Sequence, residues 1–225
     1  MNKMILYHGS TEIVRTPIYG KGKAYNDYGV GFYCTEHLEL AKEWACASLT
    51  DGYVNKYELN TEGLKVLNLS SEEYTILHWL ALLMKHRGVR ISTPVMRRGV
   101  EWLFKYFLPE TEDFDIITGY RADDSYFSFA RAFINNEISL SQLSFAMRLG
   151  GLGEQVVLKS EKAFAGVQFI SYEIVDNTIY HIKRVRRDEE ARKAFFAELA
   201  EEDLDGIYMR DIIQREVKAD DPCLR

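Results

Sequence analysis

Apolar residues fall in two different rhythms along this chain. Ile5 to His8 is a short apolar run that predicts an opening strand, and Gly31 to Thr35 (GFYCT) predicts a second. Between them, Gly9, Pro17, Gly20, Gly22, Gly29 and Gly31 punctuate a long loop. Leu38, Ala41, Ala45 and Leu49 then recur at helical spacing, which predicts a helix over about 36–48. Val54, Tyr57 and Leu59, followed by Leu64, Val66 and Leu67, read as two strands joined by a turn at 60–63. From residue 71 the period becomes helical. Ser71 with Glu73 predicts a helix start, running to Arg87 and ended by Gly88, and a second helix spans Pro94 to Phe107.

Phe114 to Tyr120 returns to strand character. Two more helices are expected over 124–136 and 139–149, closed by Gly150 and Gly151. Gln155 to Lys159 predicts a strand, 161–165 a short helix, and Phe169 to Val175 another strand, with Ile179 to Ile182 as an edge strand. Helices are expected over about 187–202 and 207–217. Strands therefore occupy both ends of residues 1–185 and helices the middle. This is an α+β pattern rather than alternating βαβ units.

Composition narrows the function classes. Acidic residues outnumber basic ones 34 to 28, for a formal net charge of −6. That balance disfavours sequence-independent nucleic-acid binding, which needs many phosphate-neutralising cations. The longest apolar stretch, Ile76 to Met84, contains His78 and falls well short of the roughly 18 residues of a membrane span. No export signal is visible, and Cys34, Cys46 and Cys223 stand at no metal-ligand spacing, so reduced thiols in a cytoplasm and no membrane partner are expected. The five histidines form no His-x-x-x-His pair, and no metal is expected. A phosphate loop, a dinucleotide fingerprint and a nucleophile elbow are all missing.

The sharpest chemistry lies at the front. His8-Gly9-Ser10 follows the first strand directly. Tyr28-Gly29-Val30-Gly31-Phe32-Tyr33-Cys34-Thr35-Glu36 comes about twenty residues later, and Trp44 stands eleven residues past Tyr33. Far along the chain, Gly153-Glu154-Gln155-Val156-Val157-Leu158 sets a carboxylate at the start of an apolar strand. Together these motifs resemble the ADP-ribosyltransferase superfamily in its H-Y-E branch, which holds the poly(ADP-ribose) polymerases and diphtheria-toxin-like enzymes. Within it the chain is most similar to a bacterial family known as domain of unknown function 3990. The shared marks are Tyr7 to Ser10, Asp27 to Tyr33, Ala122 to Asp124, and Gln155 with Val156. The resemblance covers residues 5–185.

It implies two small antiparallel sheets around an NAD cleft, decorated by helical insertions at about 70–113 and 123–150. A helical extension, 186–225, would pack on the same domain. It also implies mono-ADP-ribosyl transfer from NAD to a macromolecular acceptor, protein or nucleic acid, in a bacterial cytoplasm. Use as a toxin or defence protein would bring an antitoxin or regulatory partner. NAD glycohydrolysis, or a weak NAD-site relic serving as a binding module, are the alternatives.

The chemistry explains the residue types. Loss of cationic nicotinamide leaves an oxocarbenium-like ribosyl cation, so an enzyme must clamp the ring and place negative charge nearby. In the roles the resemblance implies, Gly9 pairs its backbone with the nicotinamide amide, with help from Ser10. Tyr33 and Trp44 sandwich the ring, and His8 bonds a ribose hydroxyl. Gly31 and Lys23 belong to the loop over the cofactor. The third catalytic group is Glu154 or Gln155, since neighbours on a strand face opposite ways. Asp123 or Asp124 would replace or assist it. Arg121 would contact pyrophosphate or pair with those aspartates. A serine that binds the amide in the polymerases is replaced here by Ala41.

Overall fold

The computed structural model describes residues 3–122, 124–147 and 154–224. Its strands are β1 (Lys3–Ser10), β2 (Phe32–Cys34), β3 (Gly52–Asn60), β4 (Val66–Asn68), β5 (Ile116–Tyr120), β6 (Glu154–Leu158) and β7 (Val167–Val175). Its helices are α1 (Leu38–Ala45), α2 (Ile76–Arg87), α3 (Pro94–Tyr106), α4 (Asp124–Ile134), α5 (Leu140–Ala146), α6 (Glu161–Ala165), α7 (Asn177–Ala200) and α8 (Met209–Gln214). The chain is therefore α+β. Gly150 and Gly151 lie outside the described residues.

Two compact units divide these elements. The first comprises Met1–Asn68, Thr111–Arg121 and Leu152–Arg187, and holds every strand. One sheet runs β1-β3-β7 and the other β2-β6-β5-β4. The two sheets share a core. Leu6, Tyr57 and Leu59 come from the first, and Cys34, Ile116, Val156 and Leu158 from the second, all fully or almost fully buried. Helix α1 covers the other face of the first sheet, where Ala41 and Ala45 pack on Val54 and Tyr7. Period-two alternation along β1 and β3 makes both contacts at once.

The second unit comprises Leu69–Glu110, Ala122–Gly151 and Asp188–Arg225, and its described elements are helical. Both insertions and the chain after Arg187 thus build one body. Its centre is α2, buried from Leu77 to Met84 on every side, as an all-round apolar helix must be. Trp102 Nε1 donates to the Val217 carbonyl at 2.8 Å, and Gln142 Nε2 to the carbonyls of Glu198 and Glu201, tying the C-terminal segment to α3 and α5. No described helix is long and apolar enough to cross a membrane.

Three expectations need correction. The second sheet is not wholly antiparallel, because β4 and β5 pair in parallel. A parallel pair needs a long crossover, and α2 and α3 supply it. Ile179 to Ile182 is not an edge strand but the first turns of α7. The Asp176 carbonyl accepts from the N–H groups of Ile179 and Tyr180, and its carboxylate accepts from Thr178 N–H at 2.8 Å, a helix cap that overrides the short apolar run. Helix α2 starts at Ile76 rather than near Ser71. There the Thr75 N–H donates to His78 Nδ1 at 2.9 Å, and the imidazole plays the part usually taken by Glu or Gln in a capping box.

Candidate functional site

His8 and Tyr33 come together through the meeting of β1 and β2. β1 meets the residue just after β2 at an isolated bridge, where the Tyr7 N–H donates to the Thr35 carbonyl at 2.8 Å and the Thr35 N–H to the Tyr7 carbonyl at 3.0 Å. Continuing that antiparallel register would set Gly9 opposite Tyr33, but pairing stops. The Tyr33 carbonyl instead lies 2.7 Å from His8 Nδ1. Strand hydrogen bonding alternates sides, so Gly9 turns its N–H and C=O the way Tyr7 does, away from β3 and toward the Tyr33 side. A donor and an acceptor on one residue are thereby left facing a gap in the ladder.

The His8 ring packs on Phe32 with centroids 4.5 Å apart, and burial pushes its pKa below the ordinary imidazole value. A neutral imidazole whose Nδ1–H donates to Tyr33 keeps Nε2 as an acceptor.

Gly9 also has a packing role. A Cβ there would sit 2.0 Å from the Ala41 carbonyl oxygen and 2.9 Å from Trp44 Cβ, so the missing side chain lets α1 press onto β1. This contact carries Trp44 to Gly9. The Arg121 guanidinium lies 4.5 Å over the Trp44 ring, a cation on an aromatic face. Ser10 is turned elsewhere. Its hydroxyl donates to the Glu12 carbonyl at 2.5 Å and accepts from buried Asn55 Nδ2 at 3.3 Å, locking the following loop.

Tyr33 pins the loop before it. Its hydroxyl donates to the Gly29 carbonyl at 2.7 Å and accepts from the Tyr28 N–H at 3.0 Å. Gly29 has φ 73°, a left-handed conformation that suits glycine. Burial first, and the charge of Asp27 to a smaller degree, push the phenol well above its usual pKa. Lys159 Nζ adds bonds to the carbonyls of Tyr28 and Val30, and the Tyr28 hydroxyl donates to the Tyr120 carbonyl at 2.6 Å. Gly31 packs flat on Val157 and Leu158 of β6, whereas Lys23 is exposed with its ammonium 5.7 Å from the Tyr25 ring.

Glu154 and Gln155 part company in β6. Tyr33 pairs with Val157, so alternation puts Gln155 on the face of Val157 and Tyr33. Gln155 is buried, and its Nε2 donates to Asp27 Oδ2 at 2.8 Å and to the Tyr120 carbonyl at 3.3 Å. Glu154 takes the opposite face and is exposed. Asp123 lies outside the described residues. Asp124 is the first residue of α4 in the helical unit, and its side chain is likewise outside what is described. Near the first unit's end, Arg187 Nε donates to Glu43 Oε2 at 2.7 Å. Among the described residues no group of three or more His, Cys, Asp and Glu is placed to hold a metal ion.

The structure therefore brings His8, Gly9, Tyr33 and Trp44 to one neighbourhood of the first unit, with Asp27 and Gln155 on the Tyr33 face of β6. Asp27 is the group that motif reading undervalued. A lone aspartate ahead of an aromatic–glycine block gives no sign that it is buried, and its amide partner is 128 residues away.

No curated protein and no solved structure matches the chain. One family model does, described as a protein of unknown function (DUF3990), over residues 4–169. That span carries the His8-Gly9-Ser10, Asp27–Tyr33 and Glu154–Leu158 motifs and well over half of the chain, and the protein thus belongs to the DUF3990 family.

Proposed function

We propose that this protein transfers ADP-ribose from NAD to a macromolecular acceptor. The observation that carries the reading is that pairing between β1 and the chain around β2 is confined to the isolated Tyr7–Thr35 bridge and does not extend to Gly9 and Tyr33. Gly9 presents one donor and one acceptor toward Tyr33, the pair that a carboxamide requires, and Trp44 is packed against the same glycine. In this reading the nicotinamide amide bonds Gly9, and its cationic ring lies against Tyr33 and Trp44. Each aromatic face contributes about 0.5–2 kcal/mol. His8 Nε2 accepts from a ribose hydroxyl. The C1′–N bond then breaks, its electron pair stays with the nicotinamide nitrogen, and the ribosyl carbon takes the positive charge. A nucleophilic oxygen or nitrogen of the acceptor bonds C1′ and releases its proton to solvent.

The second reading is a catalytically weak NAD site used for binding. What favours it is the engagement of Gln155 in place of a free strand carboxylate, since an amide supplies no charge. Incubation with adenine-labelled NAD separates the readings. Label on protein or nucleic acid supports transfer, and free ADP-ribose supports hydrolysis. Saturable binding without turnover supports the binding module. Neither binding nor turnover refutes all three.

A further inference from the structure

We infer that Asp27 supplies the negative charge of this site and that Gln155 is its positioning residue. The inference deepens the NAD reading above and rests on it.

Among the described side chains, two carboxylates compete for the role by position. Glu154 opens β6 but is exposed, on the face opposite Tyr33. Asp27 is 7% exposed and lies with Gln155 on the Tyr33 face. Burial decides how strongly each is felt. A charge acting through a protein environment of effective dielectric constant about 20 is felt roughly four times as strongly as one acting through water. An exposed charge is further screened by salt. A buried carboxylate is costly unless it is held by hydrogen bonds, and an amide donor bonds it without cancelling its charge.

The surroundings of Asp27 are built to keep it in place. Gln155 Nε2 bonds both Asp27 Oδ2 and the Tyr120 carbonyl, so the amide is anchored to β5 while it holds the carboxylate. The residues directly after Asp27 are tied down by the Tyr33 hydroxyl and by Lys159 Nζ. The ring assigned to stack on nicotinamide thus also fixes the backbone beside the carboxylate. As the C1′–N bond breaks, positive charge moves from the nicotinamide ring to the ribosyl carbon. A fixed negative charge on the Tyr33 side stabilises that cation without forming a bond to it. This arrangement also gives a late-strand glutamine a role that a lone amide lacks.

The test is Asp27→Asn. The replacement keeps shape, removes the charge and can still accept from Gln155 through Oδ1. Turnover of labelled NAD should fall by about 10²–10³-fold, the usual loss for a preorganised electrostatic contact, with NAD affinity within about threefold of wild type. The exchange variant Asp27→Asn/Gln155→Glu keeps an amide–carboxylate pair with the charge moved to the strand. It should recover at least about tenfold of the lost turnover, a rescue that a merely structural role would not produce. If Asp27→Asn fails to fold, a folded exchange variant carries the test, and absence of turnover in it overturns the inference. Wild-type turnover in folded Asp27→Asn also overturns it, and loss in Glu154→Gln instead assigns the charge to Glu154. If the wild-type chain itself neither binds nor turns over NAD, the NAD reading falls, and this inference with it.

Discussion

Replacing Gly9 with alanine tests how the site is assembled, because the added methyl group has nowhere to go. The new Cβ would lie 2.0 Å from the Ala41 carbonyl oxygen, 2.6 Å from the Ala45 nitrogen and 2.9 Å from Trp44 Cβ. Ordinary van der Waals contact begins at 3.4 Å, so the closest approach is short by about 1.4 Å. Two of the three atoms are main chain of α1 and cannot turn aside as a side-chain tip would. The helix must move as a body, carrying Trp44 with it. Overpacking that side chains can absorb costs about 1–3 kcal/mol, and this clash sits at the top of that range. At about 2–4 °C per kcal/mol for a chain of this size, Gly9→Ala should lower Tm by roughly 6–12 °C. Circular dichroism melts of the two proteins measure it. NAD affinity should fall as well, because the displaced helix carries one stacking face. A Tm within about 1 °C of wild type would refute the reasoning, since α1 would then not be seated on Gly9.

Tyr33→Phe keeps the ring and removes the hydroxyl that bridges Tyr28 and Gly29. Leaving those buried backbone groups unpaired should cost about 1–3 kcal/mol in a denaturant titration while NAD affinity stays within about threefold, and equal loss of both would show that ring and loop act as one. Asn55→Ala removes the buried amide that joins the His8 carbonyl, the Ser10 hydroxyl, the Glu12 carbonyl and the Val14 N–H, and should cost about 2–3 kcal/mol with increased proteolysis within residues 10–19. Burial holds His8 and His78 below the ordinary value of 6.5, so below that pH the unfolded chain binds protons that the folded chain does not. Stability should therefore be full well above pH 6.5 and fall as the pH drops through 6.5 in urea titrations; stability rising as pH falls through that value would contradict the burial.

The elements legible in the sequence were those with a local signature. β1, α1, α3 and β7 follow from periodicity, and the first-unit strands were placed to within a few residues. What could not be read depends on distant partners. The parallel β4–β5 pair is invisible locally, because strand direction is set by the crossover between the two strands. Ile179 to Ile182 has the composition of a strand, but Asp176 caps a helix there and Asp51 accepts from the Asn177 N–H at 3.0 Å. At the site, His8, Gly9, Tyr33 and Trp44 were legible because motif spacing brought them forward together. The burial of Asp27 was not, since its bond to Gln155 joins chain segments 128 residues apart. The Arg121 guanidinium over Trp44 was likewise hidden, because nothing local marks which ring an arginine will cover.

The central claim is that His8, Gly9, Tyr33 and Trp44 form an NAD site, and calorimetric titration of the full chain with NAD tests it most directly. Wild type should bind saturably with one site, and Tyr33→Ala and Trp44→Ala should each weaken binding by about 2–30-fold, the equivalent of one lost cation–aromatic face of about 0.5–2 kcal/mol. The melting temperature of each variant must confirm that it is folded. No heat of binding in the folded wild-type chain, or NAD affinity unchanged in both variants, would contradict the account.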